Sequence, residues 1–323
     1  MITKFGQQIE LIITDLAGGV VVIPAGPGEN TSLRVDFDIL HMDGFSRGTI
    51  KIYNLRADVI GELVSTNHYV TLNVRLHDGP WFNLVNKWYI SNSINELQLP
   101  NNITQLFCFD KLRLTLLEAQ LLTRVKTPTL EKMINNAVST VGSGNTTEFK
   151  HFPEEVLRGK IDRSSTSWSG SVDDLLRKYK MSYRYNVYTI DDGLTLMYKP
   201  TIDNVHLTDI PSSSGDVFLD TSNMRSNPKL GAARITATSN LDPNLKPTTV
   251  VNISNLLTAS LEASPTAKEI AGDFVKMAVG GYPKYQILTT QHRGSNYSDL
   301  WETAIHGVPP GNGRSMPTIN WFR

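Results

Sequence analysis

At 323 residues the chain is too long for one typical hydrophobic core, and two or three domains are expected. Its 31 basic and 31 acidic residues cancel to a formal net charge of zero, which removes the basic excess of an ordinary duplex-binding protein. A single cysteine, Cys108, excludes a disulfide within the chain, and no apolar run reaches the roughly 20 residues that span a bilayer.

The opening "MITKFGQQIELII" lacks a signal peptide's small-residue cleavage site, so use without the secretory route is expected. "QIELIITDL" and "GGVVVIPA" are β-branched runs joined at Gly18-Gly19, a hairpin signal. "LRVDFDIL" alternates, with Leu33, Val35, Phe37 and Ile39 on one face and Arg34, Asp36 and Asp38 on the other. "TIKIYNL" alternates again, and after Asn54 the period changes. Leu55, Val59 and Leu63 then fall at i, i+4 and i+8, the stripe of a short helix over 55–64. "YVTLNVRL", "NKWYISNSI" and "NITQLFCFD" follow as strands. In the last, Leu106, Cys108 and Asp110 share a face, which makes Cys108 a small buried hydrophobe. Many short strands with one small helix indicate a β-barrel or sandwich over 1–110.

The middle of the chain changes character. "TPTLEKMINNAVSTVG" reads as a helix with Thr127 at the N-cap and Pro128 at the first turn. Leu130, Met133, Ile134 and Ala137 form its stripe, and Gly142 stops it. "SGSVDDLLRKYK" is a second helix, with Ser171 and Asp174 at capping-box spacing. "MSYRYNVYTI" and "LTLMYKP" read as a strand hairpin around Asp191-Asp192-Gly193, so 111–205 is an α/β insert. Strands return over 206–310 in "GAARITATS", "PTTVVNISNLLTA", "AGDFVKMAVGG" and "PKYQILTTQHRG", and "NYSDLWETAIHGVP" ends this region. The tail, 311–323, has no period and ends on Trp321 and Phe322.

No catalytic, cofactor or metal site stands out. "AGPGEN" lacks the lysine and following helix of a phosphate loop. The seven histidines are scattered, without metal-ligand spacing. Asp36, Asp38 and Asp43 are not arranged as an acid/base pair, and Glu154-Glu155 has no supporting context. "SSTSWSGS" lacks a nucleophile elbow and reads as a polar loop. Trp81, Trp88, Tyr89, Tyr183, Tyr185 and Tyr188 suit sheet packing, with a sugar-stacking platform as the alternative.

The strand "LRVDFDIL", a polar turn and "GTIKIYNL" running into a helix resemble the opening domain of bacteriophage tail hub proteins. A second resemblance lies in "SNPKLGAARITATSNLDPNLKPTTVVNI" and in "YQILTTQHRGSNYSDLWETAIHGVP". Together these cover 30–110 and 220–310, with "SVDDLLRKYKMSYRY" as weaker support between them. The chain departs from the family in Pro247-Thr248-Thr249, where a glycine is usual. It departs again in Gly294-Ser295-Asn296, where a Gly-Asp pair is usual. The resemblance implies two barrel-like β-domains around the insert, and a homotrimer of pseudo-sixfold outline between a sixfold tail tube and a threefold spike. It implies a virion baseplate location, most simply in a contractile tail, after synthesis in the host cytoplasm. Tail tube, spike, baseplate wedge and tape measure proteins would be partners, with DNA only in transit through the channel and no membrane insertion. Interfaces are expected at Tyr53, Leu55, Val59, Leu63, Trp321 and Phe322. A tail-associated cell-wall hydrolase and a carbohydrate-binding β-protein are the alternatives.

Overall fold

Alternating burial governs most of the strands of this computed structural model, which describes residues 7–25, 33–56, 59, 68–76, 79–142, 146–161, 165–190, 193–198, 217–220, 222–231, 234–253 and 284–308. The fold is mainly β with a few helices. β1 (Gln7–Thr14) and β2 (Val20–Ala25) form an antiparallel hairpin. Gly18 in its turn has φ +90°, a conformation that glycine adopts without a Cβ clash. β3 (Val35–His41), β4 (Arg47–Tyr53), β5 (Tyr69–Leu76), β6 (Phe82–Gln98) and β7 (Asn101–Phe109) extend the sheet in the order β3-β4-β7-β6-β5-β1-β2. Leu11, Ile39, Ile50, Leu72 and Leu106 are fully buried in one cluster beneath it. Each such side chain contributes about 1.5–3 kcal/mol.

β6 outruns the sequence expectation, which ends the strand at Ile94. Its pairing with β7 continues to Gln98↔Asn101, well past the reach of β5, while β7 stays paired with β4 as far as Ile103. Of the helix expected over 55–64, residues 57–58 and 60–64 lie outside the described residues, and Leu55 is not helical.

The insert follows as α1 (Lys111–Glu118), β8 (Gln120–Lys126), α2 (Leu130–Ser139), β9 (Thr147–Lys150), α3 (Glu154–Arg158), β10 (Ser165–Ser171), α4 (Val172–Tyr183), β11 (Tyr185–Ile190) and β12 (Gly193–Tyr198). Leu130, Met133, Ile134 and Ala137 are buried against Leu175 and Leu196, as their helical spacing requires. The α2 cap is Thr129, not Thr127. The Thr129 hydroxyl accepts the Lys132 N–H at 3.2 Å, whereas Thr127 sits at φ +45° outside the helix. The apolar stripe begins only at Leu130, and the cap must stand directly before it. In α4 the Ser171 hydroxyl accepts the Asp174 N–H at 3.1 Å and donates to its carboxylate at 2.7 Å.

Two further expectations change. "SSTSWSGS" is not a loop: β10 pairs with β8 from Ser165↔Lys126 to Ser171↔Gln120, and half-buried Trp168 packs against the insert core. Met181, Ser182 and Tyr183 belong to α4 and not to a strand, because the helix stops only at Arg184, which takes the left-handed cap conformation at φ 54°. β11 and β12 then pair as expected, with both faces covered.

The last part of the chain supplies β13 (Val217–Phe218), β14 (Met224–Gly231), β15 (Arg234–Asn240), β16 (Val250–Asn252), β17 (Lys284–Ser295) and β18 (Trp301–Val308). "GAARITATS" divides at Gly231↔Arg234 into the end of β14 and most of β15. The segment "AGDFVKMAVGG" lies outside the described residues. Ile235, Tyr285, Ile287 and Ile305 form a third core cluster.

β17 then pairs antiparallel with β3, from Thr290↔His41 to Ser295↔Asp36. This joins the early and late strands into one 13-stranded sheet. Asn296 locks the junction: its side-chain oxygen accepts the Val35 N–H at 2.8 Å, and its amide donates to the Leu33 carbonyl at 2.8 Å. Beneath, the Phe37 and Trp301 rings meet edge to face at 5.8 Å, and the Trp301 indole donates to the Ser295 carbonyl at 2.6 Å. Gly294 is required here because a Cβ would stand 2.4 Å from the Phe37 ring. Among the described residues, no helix is long and apolar enough to cross a membrane.

Asn296→Ala leaves the buried Val35 N–H without its acceptor, and urea denaturation is expected to register a loss of about 2–3 kcal/mol. Gly294→Ala should cost about 1–3 kcal/mol by overpacking against Phe37, measured in the same way.

Candidate functional site

Of the expected interface residues, Tyr53 ends β4, with Leu55 and Val59 just after it. Tyr53 is half-buried and already engaged: its hydroxyl donates to Asp36 Oδ2 at 2.9 Å, and the Arg34 guanidinium lies 4.3 Å above its ring. Arg34 also grips Asp36 with two hydrogen bonds, at 3.1 and 2.7 Å. Burial opposes the charge on Asp36, yet hydrogen bonds from Arg34, Ser295 and Tyr53 outweigh it and hold the carboxyl below its ordinary value. Leu55 is buried and Val59 packs on the sheet core, so both contribute to packing within the chain. Leu63, Trp321 and Phe322 lie outside the described residues.

The residues with catalytic potential are occupied structurally. Cys108 donates weakly to the Gly48 carbonyl at 3.4 Å, and burial pushes its thiol up to about 12. Asp38 accepts from Gln291 at 2.7 Å and lies 3.4 Å from Arg293. Glu154 pairs with Arg158 one turn along α3 at 2.9 Å. Trp88, Tyr185 and Tyr188 are buried, while Trp81 is exposed beneath the Arg75 guanidinium at 4.7 Å. The buried aromatics therefore form no continuous stacking surface with Trp81. Among the described residues, no group of three or more His, Cys, Asp or Glu could hold a metal ion.

Two arrangements were not anticipated from sequence. One is a clasp between the β3–β4 turn and the insert. Asp43 accepts the Val187 N–H at 2.9 Å through Oδ1 and the Lys180 ammonium at 2.7 Å through Oδ2. Gly44 N–H adds a 2.7 Å bond to the Val187 carbonyl. Beside it is a cleft of about 270 Å³ lined by Phe45, Leu176, Arg177 and Lys180 together with the buried Arg113–Asp173 ion pair. The other is the far end of the β6–β7 hairpin, which β5 does not reach. Leu97 is 74% exposed and Leu99 at its tip 86% exposed, and Glu96 is the only charge between Ser91 and Asn102. Its tip is tied to the end of β4 by Asn54, whose amide donates to Asn101 at 3.1 Å and whose side-chain oxygen accepts the Asn102 N–H at 3.0 Å. The only sequence signal for this hairpin end was leucine recurring in the polar run "SINELQLPNN".

No family model and no curated protein matches the sequence. Solved structures do match in fold. A 43 kDa tail protein of prophage MuSo2 from Shewanella oneidensis aligns over 95% of this chain and 100% of its own, with TM-score 0.53 and 7% identity. The tail protein of Neisseria meningitidis MC58 aligns over 94% and 97%, with TM-score 0.54 and 11% identity. An Escherichia coli component of the type VI secretion system, described as structurally similar to the T4 bacteriophage tail proteins gp27 and gp5, aligns over 89% and 77%, with TM-score 0.50 and 9% identity. The fold is thus one shared with phage tail proteins and with type VI secretion proteins related to them in structure.

Asp43→Ala removes the acceptor of both Lys180 and the Val187 N–H, at a cost of about 2 kcal/mol to insert docking. Limited proteolysis within 111–205 should accelerate while far-UV circular dichroism keeps its wild-type shape.

Proposed function

We propose that this chain is a structural protein of a phage-type tail, and that it forms the central trimeric hub between a sixfold tail tube and a threefold spike. The observation that carries this reading is the end-to-end match in fold, 95% of this chain against 100% of a prophage tail protein. A match over the whole chain accounts for the insert as well as the β halves. The hub, in particular, rests on the resemblance of "LRVDFDIL…GTIKIYNL" and "YQILTTQHRG…WETAIHGVP" to that family. It draws further support from an E. coli neighbour described as similar to gp27 and gp5.

In this reading three copies, each with an early and a late β half, make a ring of pseudo-sixfold outline around a channel. The tube, spike and wedge proteins bind its rims, and the tape measure protein and then DNA pass through it. The sheet continuous through β3 and β17 gives each copy a stiff arc, the property that a load-bearing adaptor needs. Balanced charge suits a lumen that lets DNA slide. The hub needs no chemical step. The C-terminal segment carrying Trp321 and Phe322 serves as an anchor that a partner covers, because two adjacent aromatics are costly to leave in water.

Light scattering behind size exclusion should give about three times the 35.9 kDa chain mass, and negative-stain images a threefold ring. A monomer at all concentrations, or turnover of purified cell wall, would overturn the reading. Deleting 311–323 should abolish spike capture with the ring intact; unchanged capture and assembly would remove the anchor role.

A further inference from the structure

Two histidines that are far apart in sequence meet on the buried face of the β3–β17 junction. The His41 and His292 ring centroids are 5.7 Å apart, with the planes at 75°. His41 also packs edge-on against Trp88 at 5.4 Å. Register makes the pair diagonal neighbours, since His41 opposes Thr290 and His292 opposes Ile39. Both are almost wholly enclosed, at 5% and 1% exposure. His292 Nδ1 lies 3.0 Å from the Thr303 hydroxyl, which itself accepts the Asp242 N–H at 2.9 Å.

The surrounding charges do not favour an imidazolium here. Burial acts first against protonation of His292, then the nearby His41 and Lys246, and together they hold it well below the ordinary histidine value. From β7, Cys108 stays a neutral thiol. The junction's carboxylates belong to the opposite face: Asp36 with Arg34 and Tyr53, Asp38 with Gln291 and Arg293, and Glu302 with Arg293. The Asp242 carboxylate is taken up by the backbone and side-chain amides of Asn244.

We propose that His41 and His292 form a proton-operated latch: acid protonates the pair and parts β17 from β3, separating the two β halves while each keeps its own core. Most of each half's hydrophobic cluster lies beyond the junction; Leu241 and Trp301 of the late half pack into the early cluster and are the apolar side chains that parting uncovers. An opened junction hydrates both rings, which then take up protons at the ordinary histidine value of about 6.5. In the closed junction His292 binds its proton only at lower pH. The open state therefore binds more protons below about pH 6.5, and the closed state loses stability as pH falls through that range. His292 raises the open-to-closed ratio by up to about tenfold per pH unit there. Acidic side chains titrate near and below about pH 4, so the interval from about 6.5 to 4.5 isolates the histidines.

The test is hydrogen exchange of the full chain between pH 7.5 and 4.5, read by mass spectrometry and corrected for intrinsic amide rates. Peptides covering 35–41 and 287–295 should gain at least about tenfold in opening between pH 6.5 and 5, while those covering 185–198 hold steady. His292→Gln retains a polar partner for Thr303 and should flatten that dependence, and His41→Gln does the same should the first variant fold poorly. Junction peptides that track 185–198 across the whole range in the wild-type protein would overturn the latch. So would an unchanged pH dependence in both variants.

Discussion

Everything in this fold hangs on six residue pairs between β3 and β17. They convert two groups of strands, one from each end of the chain, into a single hydrogen-bonded sheet. The junction has two faces of different chemistry. Inward, Phe37 with Trp301 and His41 with His292 pack as two edge-to-face ring pairs, and Gly294 gives way so that Phe37 can cross the strand. Outward, Asp36 and Asp38 are bonded by Tyr53, Arg34, Gln291 and Arg293. Asn296 closes one end by supplying, from its side chain, the acceptor and donor that a continuing β17 would have offered to residues 33–35. Apolar burial holds the sheets together, but the side-chain amide sets where they stop.

The insert is attached to this frame through few points. Asp43 and Gly44 hold it at Val187 and Lys180, and Lys150 reaches across to the Thr248 hydroxyl at 3.0 Å. Its core is otherwise its own, built from α2, α4 and the β11–β12 pair. A module with a separate core and a narrow polar attachment can vary in sequence without disturbing the sheet. This fits a fold held in common with tail proteins at only 7–11% identity.

Alternation made the sheet legible wherever one face is buried. β1, β3 and β4 read directly from runs such as "LRVDFDIL", because a period of two leaves little else possible. Errors arose where local rules competed. Serine-rich "SSTSWSGS" has turn composition, but a partner strand and Trp168 override it. Met181–Tyr183 alternates plausibly with the strand after it, yet continues the helical stripe before it. Strand β6 looked finished at Ile94, since nothing in sequence says that a hairpin continues beyond its third partner. The Asp43 clasp and the histidine pair were out of reach because both join residues more than a hundred positions apart, and pairing at that range leaves no local period. For the same reason the seven histidines looked scattered.

The span of the β3–β17 junction also orders events in time. Asn296 contacts Val35 across 261 positions of a 323-residue chain. At a synthesis rate of about 5–20 residues per second, β3 emerges roughly 13–50 seconds before the strand that covers it. Through that interval the early half can close its own hairpins, but one edge stays open and apolar on its inner side. A nascent chain in that state is exposed to pairing with the same strand on a neighbouring ribosome. Short, polar or chaperoned waiting is therefore built into the topology: the sheet that makes the finished protein stiff is also the last part of it to form.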